Sequence, residues 1–104
     1  MANEVTIVRI YLREADKGRR ESLMQEIFKI LHDQARVRGV TVFRGVAGFG
    51  DTGEVTTADP LHILSSLPLV IEFFDAPEKV AQAIEILNGL LPPGHMISWS
   101  AMQS

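Results

Sequence analysis

Val5-Thr-Ile-Val-Arg-Ile-Tyr-Leu12 carries apolar residues on both of its alternating sets. One set is Thr6, Val8, Ile10 and Leu12; the other is Val5, Ile7, Arg9 and Tyr11. β-Branched and aromatic side chains at period two predict a strand whose first set faces a core. The second set is also too apolar to be left in water, so something has to cover it.

Past Asp16, Lys17 and Gly18 the period changes. Met24, Ile27, Phe28, Leu31 and Ala35, flanked by Leu23 and Ile30, mark one face of a helix. Gly39 is placed to take the left-handed conformation that commonly ends a helix, and Val40 to Ala47 returns to strand composition. Gly48 to Pro68 is polar and glycine-containing, far longer than the usual connection of roughly 4 to 6 residues. Leu61, Ile63 and Leu64 can give its second half a short strand or helical turn. Leu69 to Phe74 reads as a third strand. Asp75-Ala-Pro-Glu78 then has the order of a helix start, with Asp75 as the capping side chain. Val80, Ile84, Leu87 and Leu91 supply the stripe of the second helix. Pro92, Pro93 and Gly94 stop it, and His95 to Met102 alternates as a last strand.

The order βαββαβ predicts an α+β, ferredoxin-like domain: a four-stranded antiparallel sheet with both helices on one face. Helices cannot cover the other face, which carries Val5, Ile7, Tyr11, Val70 and Phe74. Exposed apolar area of that size marks an interface, so a homo-oligomer with these faces turned inward is expected. Arg9 and Glu72 share that face on neighbouring strands and are placed to pair.

With 104 residues and 46% hydrophobic composition, the chain is expected to form one domain over residues 1–104. Cysteine is absent, which excludes disulfides and thiolate metal sites. The first residues lack signal-peptide character and no apolar run reaches membrane-spanning length, so a cytoplasmic protein without direct membrane insertion is expected. Net charge is −3, too modest for a nucleic-acid binder that works by neutralising phosphates. The charge is uneven. Residues 1–44 hold nine of the ten Lys and Arg against six acids, whereas residues 45–104 hold Lys79 against seven acids. That asymmetry favours subunit association or an anionic ligand near the first half.

Gly48-Phe-Gly50-Asp-Thr-Gly53 fits the glycine pattern of dinucleotide-binding turns, but Glu54 to Pro60 has no helical stripe and the required context is missing. Two readings stay open: backbone N–H groups turned to a phosphate or an adenine edge, or a plain glycine turn. Arg13, Lys17, Arg19 and Arg20 are either an anion clamp or solvated charges before a helix. His32, His62 and His95 have no metal-ligand spacing, which leaves only an oligomer axis to gather copies of one. Ser65 and Ser66 near His62 lack a nucleophile elbow, and the loop acids Asp51, Glu54 and Asp59 have no spacing that pairs them. No catalytic residue is assigned, and the protein is not expected to be an enzyme.

Three segments carry a resemblance. Arg9-Ile-Tyr-Leu-Arg-Glu-Ala-Asp16, Gly39-Val-Thr-Val-Phe-Arg-Gly-Val-Ala-Gly-Phe-Gly50 and Leu67-Pro-Leu-Val-Ile-Glu72 together resemble an uncharacterised family of PII-like signalling proteins. Gly48-Phe-Gly50 is similar to the Gly-Phe-Gly with which nitrogen-regulatory PII proteins enter their long T-loop. The resemblance implies a homotrimer with ligand clefts between subunits and a T-loop-like segment at about 48–68 that engages partners. It implies a small effector, an adenine nucleotide such as AMP, and by position a site at Gly48, Phe49, Gly50, Asp51 and Thr52.

PII proteins follow Gly-Phe-Gly with arginine and glutamine and carry basic phosphate contacts late in the chain. Here Asp51 and Thr52 follow, and no Lys or Arg lies beyond Lys79. A ligand less charged than a triphosphate is therefore expected, with Arg13, Lys17 or Arg44 as its anion contact. The resemblance also implies a membrane transporter or channel as partner. The competing expectation is a metal-binding protein or a small α+β-barrel enzyme on the same scaffold.

Overall fold

The computed structural model describes residues 3–12, 20–48, 56–57 and 68–104. In chain order the elements are β1 (Asn3–Leu12), α1 (Arg20–Lys29), β2 (Val40–Arg44), β3 (Ala47–Gly48), β4 (Thr56–Thr57), β5 (Leu69–Asp75), α2 (Pro77–Asn88) and β6 (Met96–Gln103). The main sheet has the order β2-β5-β1-β6, with every neighbouring pair antiparallel. This is the ferredoxin-like arrangement that the βαββαβ order implies.

Alternation on β1 decides the core. Val8, Ile10 and Leu12 are buried against Leu69, Ile71 and Phe73 of β5 and against Leu23, Ile27, Val80, Ala83 and Leu87 of the helices. Each large apolar side chain removed from water in this way contributes roughly 1.5–3 kcal/mol.

The first helix corrects its expected stripe. Leu23, Ile27, Leu31 and Ala35 are the buried set, and Phe28 is exposed. A strict spacing of four drifts by roughly 40° per step around a 3.6-residue helix. The chain absorbs the drift by continuing α1 into a π-helical turn, Ile30–Gln34. There Ala35 N–H donates to Ile30 O at 2.8 Å. The wider turn brings Leu31 and Ala35 back over the sheet.

The helix ends at Arg36 rather than Gly39. Arg36 takes the left-handed conformation, with φ of 55°. Val37 N–H then reaches back to Leu31 O at 3.0 Å, and Lys79 Nζ donates to Arg36 O at 3.0 Å. These bonds satisfy carbonyls that the helix end leaves open.

Asp75 is not the cap of α2. Ala76 occupies that position, without a side-chain bond, and Pro77 begins the helix. The buried Asp75 works sideways instead. Its Oδ1 accepts Ala76 N–H at 2.8 Å and its Oδ2 accepts Arg38 N–H at 3.0 Å, while Arg38 Nε lies 3.4 Å from Oδ1. The carboxylate thus ties the strand leading into α2 to the chain leaving α1.

The expected strand Val40 to Ala47 is divided. β2 stops at Arg44, and Ala47–Gly48 pairs instead with Thr56–Thr57 in a separate two-stranded ribbon. Leu61, Ile63 and Leu64 lie outside the described residues.

Candidate functional site

Two features outside the core invite function. The first is the uncovered face of the main sheet, whose cross-strand rows follow from the register. One row is Phe43, Val70 and Tyr11; the next is Thr41, Glu72, Arg9 and Ile97; the third is Phe74, Ile7 and Trp99. Tyr11, Phe43, Phe74, Ile97 and Trp99 are all exposed, Trp99 at 38%. Val5 departs from expectation: it is only 4% exposed, so the open apolar field starts at Ile7.

Arg9 and Glu72 pair in the middle of this field, as their strand positions imply. Arg9 Nε and Nη2 donate to Glu72 Oε1 at 3.0 and 2.6 Å. The Arg9 guanidinium also lies 5.3 Å from the centre of the Trp99 ring, within the range of cation–π attraction. Hydrogen bonds to Glu72 and then to Tyr11 raise the Arg9 pKa above the usual arginine value, against a smaller opposing effect of burial. Its positive charge is therefore a fixed feature of the face.

The second feature is the base of the 48–68 segment. Leu12, Leu69 and Arg44 stand side by side where β1 ends, β5 begins and β2 ends. Immediately beyond, Gly45 N–H donates to Pro68 O at 2.8 Å. A Cβ at Gly45 would meet the Pro68 ring at 3.0–3.3 Å, so a glycine lets the two chain segments approach this closely. Val46 follows, 74% exposed. At the same end of the sheet Tyr11 N–H donates to His95 O at 2.8 Å.

Of the expected nucleotide-site residues, Arg44 is exposed at this end of the sheet and Gly48 is paired with Thr56 in the ribbon. Arg13, Lys17, Phe49, Gly50, Asp51 and Thr52 lie outside the described residues. In the chain, Arg13 directly follows Leu12, the register neighbour of Leu69, which in turn pairs with Arg44. The contact between Gly45 and Pro68 is the part of the site that sequence reading misses; two glycine- and proline-bearing loop ends are its only signal.

The other polar candidates do not converge. His32 is exposed, with Nδ1 2.7 Å from Asp33 Oδ1, and His95 is buried at the entry to β6. His62, Ser65, Ser66, Asp51, Glu54 and Asp59 lie outside the described residues. Among the described residues, no group of three His, Asp or Glu side chains is arranged to hold a metal ion. Among the same residues, no helix is long and apolar enough to cross a membrane.

Order, register and the half-covered sheet define the ferredoxin-like class. A family profile for DUF190, described as Uncharacterized ACR, matches residues 5–102, and the chain belongs to that family. A UPF0166 protein of Methanocaldococcus jannaschii is 35% identical over 91 residues, 82% of each chain. Among solved structures, CPII of Thiomonas intermedia K12 bound to ADP and bicarbonate superposes with a TM-score of 0.66 at 16% identity. That match covers 99% of this chain and 91% of CPII. A second CPII structure, with ADP, AMP and bicarbonate, has a TM-score of 0.62 at 16% identity and the same coverage. The divalent ion tolerance protein CutA1 of Ehrlichia chaffeensis has a TM-score of 0.59 at 9% identity, covering 96% of this chain and 81% of that one. At these identities the structural likenesses establish the fold.

Proposed function

We propose that this protein is a cytoplasmic PII-like regulator of one domain, residues 1–104. It assembles as a homotrimer through the open sheet face and binds an adenine nucleotide such as AMP between subunits. The observation that carries the reading is the two apolar rows, Phe74, Ile7 and Trp99 on one side of Arg9 and Glu72 and Phe43, Val70 and Tyr11 on the other, which the chain's own helices leave uncovered. Such a field is rare on a monomer and ordinary at a subunit seam. The fold likeness to CPII, whose structures hold ADP and AMP, supports the choice of ligand.

The nucleotide site is assigned to Gly48, Phe49, Gly50, Asp51 and Thr52, with Arg13, Lys17 and Arg44 as anion contacts. Arg44 stands at the end of the sheet beside the pinched base of the segment, and Arg13 is the residue after Leu12 in the sequence, which supports this choice of anion contacts. The T-loop-like segment at 48–68 then reports occupancy to a partner, with a membrane transporter or channel as the expected class. A nucleotide shifts that segment only to the extent that it binds one arrangement better than another.

Titration calorimetry with AMP, ADP, ATP and cyclic AMP tests the ligand. AMP or ADP is expected to bind and ATP to bind more weakly. At a hundred times the dissociation constant, the bound nucleotide adds about 2.7 kcal/mol of stability, visible as a higher unfolding temperature. No heat and no thermal shift with any of the four removes the nucleotide reading. A pull-down comparing the intact chain with a variant lacking residues 52–60 tests the partner role.

A further inference from the structure

Apolar surface is non-directional, so it draws copies together without choosing how they meet. That choice falls to polar groups, and the open face has one charged pair at its centre, bracketed by apolar rows on both sides. Both contacts of the pair end on a single carboxylate oxygen, Glu72 Oε1. Among the described residues Oε2 has no hydrogen bond. A carboxylate offers about four acceptor positions, and covering one with its donors missing is strongly unfavourable. Asp75 on the same strand shows the contrast, since both of its oxygens are engaged within the chain.

The face is complementary to itself in charge. Of its five N–H groups the Arg9 guanidinium gives Nε and one Nη2 hydrogen to Oε1 and one more to Tyr11, and still has others to offer. A second copy therefore brings the donor that Oε2 lacks. We propose that Glu72 Oε2 accepts a hydrogen bond from Arg9 of a neighbouring copy of this chain. The pairs would then link across each seam into alternating charge that sets the register of assembly. This inference rests on the reading of the open face as the subunit interface.

The double exchange Arg9→Glu with Glu72→Arg keeps the pair within each chain and reverses its sign. Refolded together with tagged native chain and examined by native mass spectrometry, the two forms are expected to segregate. Mixed oligomers should be at least about tenfold below the statistical proportion, because like charges meet at every mixed seam. Statistical mixing overturns the proposal while leaving the interface reading intact. If circular dichroism shows that the exchange does not fold, Glu72→Gln replaces it, with an oligomer dissociation constant expected to rise about tenfold. An unchanged constant overturns the proposal. A native chain that stays monomeric by light scattering at high concentration defeats the interface reading and this proposal with it.

Discussion

β5 presents nearly the same chemistry to two different surroundings. On one side Leu69, Ile71, Phe73 and Asp75 lie against the helices, each of them buried; on the other, Val70, Glu72 and Phe74 face away from them. Phe73 is 1% exposed and Phe74, the next residue, is 40% exposed. Each side also holds one acid. Asp75 is satisfied by its own chain through both oxygens, whereas Glu72 is met at one oxygen by Arg9. Apolar composition is therefore common to both sides, and the hydrogen bonding of the embedded acids separates the side completed by the chain from the one it leaves open.

The sharpest way to break this comparison is at the two phenylalanines. Phe73→Ala removes a fully buried ring and is expected to lower stability by about 3–5 kcal/mol, at every protein concentration in urea denaturation. Phe74→Ala, whose ring is 40% exposed, should cost a dissociated subunit only about 2 kcal/mol, including its cation–π contact with Arg38, while measurably weakening self-association. Equal, concentration-independent losses for both variants would mean that the two sides are not different in kind.

Asp75→Ala comes next. It leaves the N–H groups of Ala76 and Arg38 without the charged acceptor they share, an expected loss of about 1–3 kcal/mol in the same denaturation experiment.

Trp99 is the sole tryptophan of the chain and stands on the open side, so its fluorescence reads that side directly. Quenching by iodide is expected to fall as protein concentration rises through the assembly range. Constant quenching would show a face that stays wet.

The smallest effect is expected at Arg36, whose left-handed backbone favours glycine. Arg36→Gly should raise the unfolding free energy by up to about 1 kcal/mol without altering association, since the site lies on the chain that follows α1.

The same contrast explains what is legible in the residues alone. Period two on Val5–Leu12 and Leu69–Phe74 places each side chain on a face, so the buried set Val8, Ile10 and Leu12 and the meeting of Arg9 with Glu72 can both be read directly. Local backbone geometry resists such reading. A π-helical turn answers a drift in side-chain spacing, and Arg36 closes the helix although Gly39 is the better residue for that conformation. Asp75 stands one position too early to cap α2 and finds Arg38 through tertiary contact. β2 ends at Arg44 because Gly45 meets Pro68, and no pattern in the sequence between them announces that meeting. At the candidate nucleotide site, composition and resemblance name the residues, while Arg44 and the backbone of Gly48 are the ones the described structure places.

The bond from Gly45 to Pro68 has a consequence for tolerance to change. The twenty-two residues between them start and finish at one fastened point beside the sheet. Doubling the length of a closed loop adds only about 0.6 kcal/mol of closure entropy, so lengthening the stretch is expected to leave the strand register beneath it undisturbed. The sheet is in this respect a socket. A foreign peptide inserted between Gly45 and Pro68 is expected to be displayed without loss of the strand register, which the bond between these two residues fastens at its base.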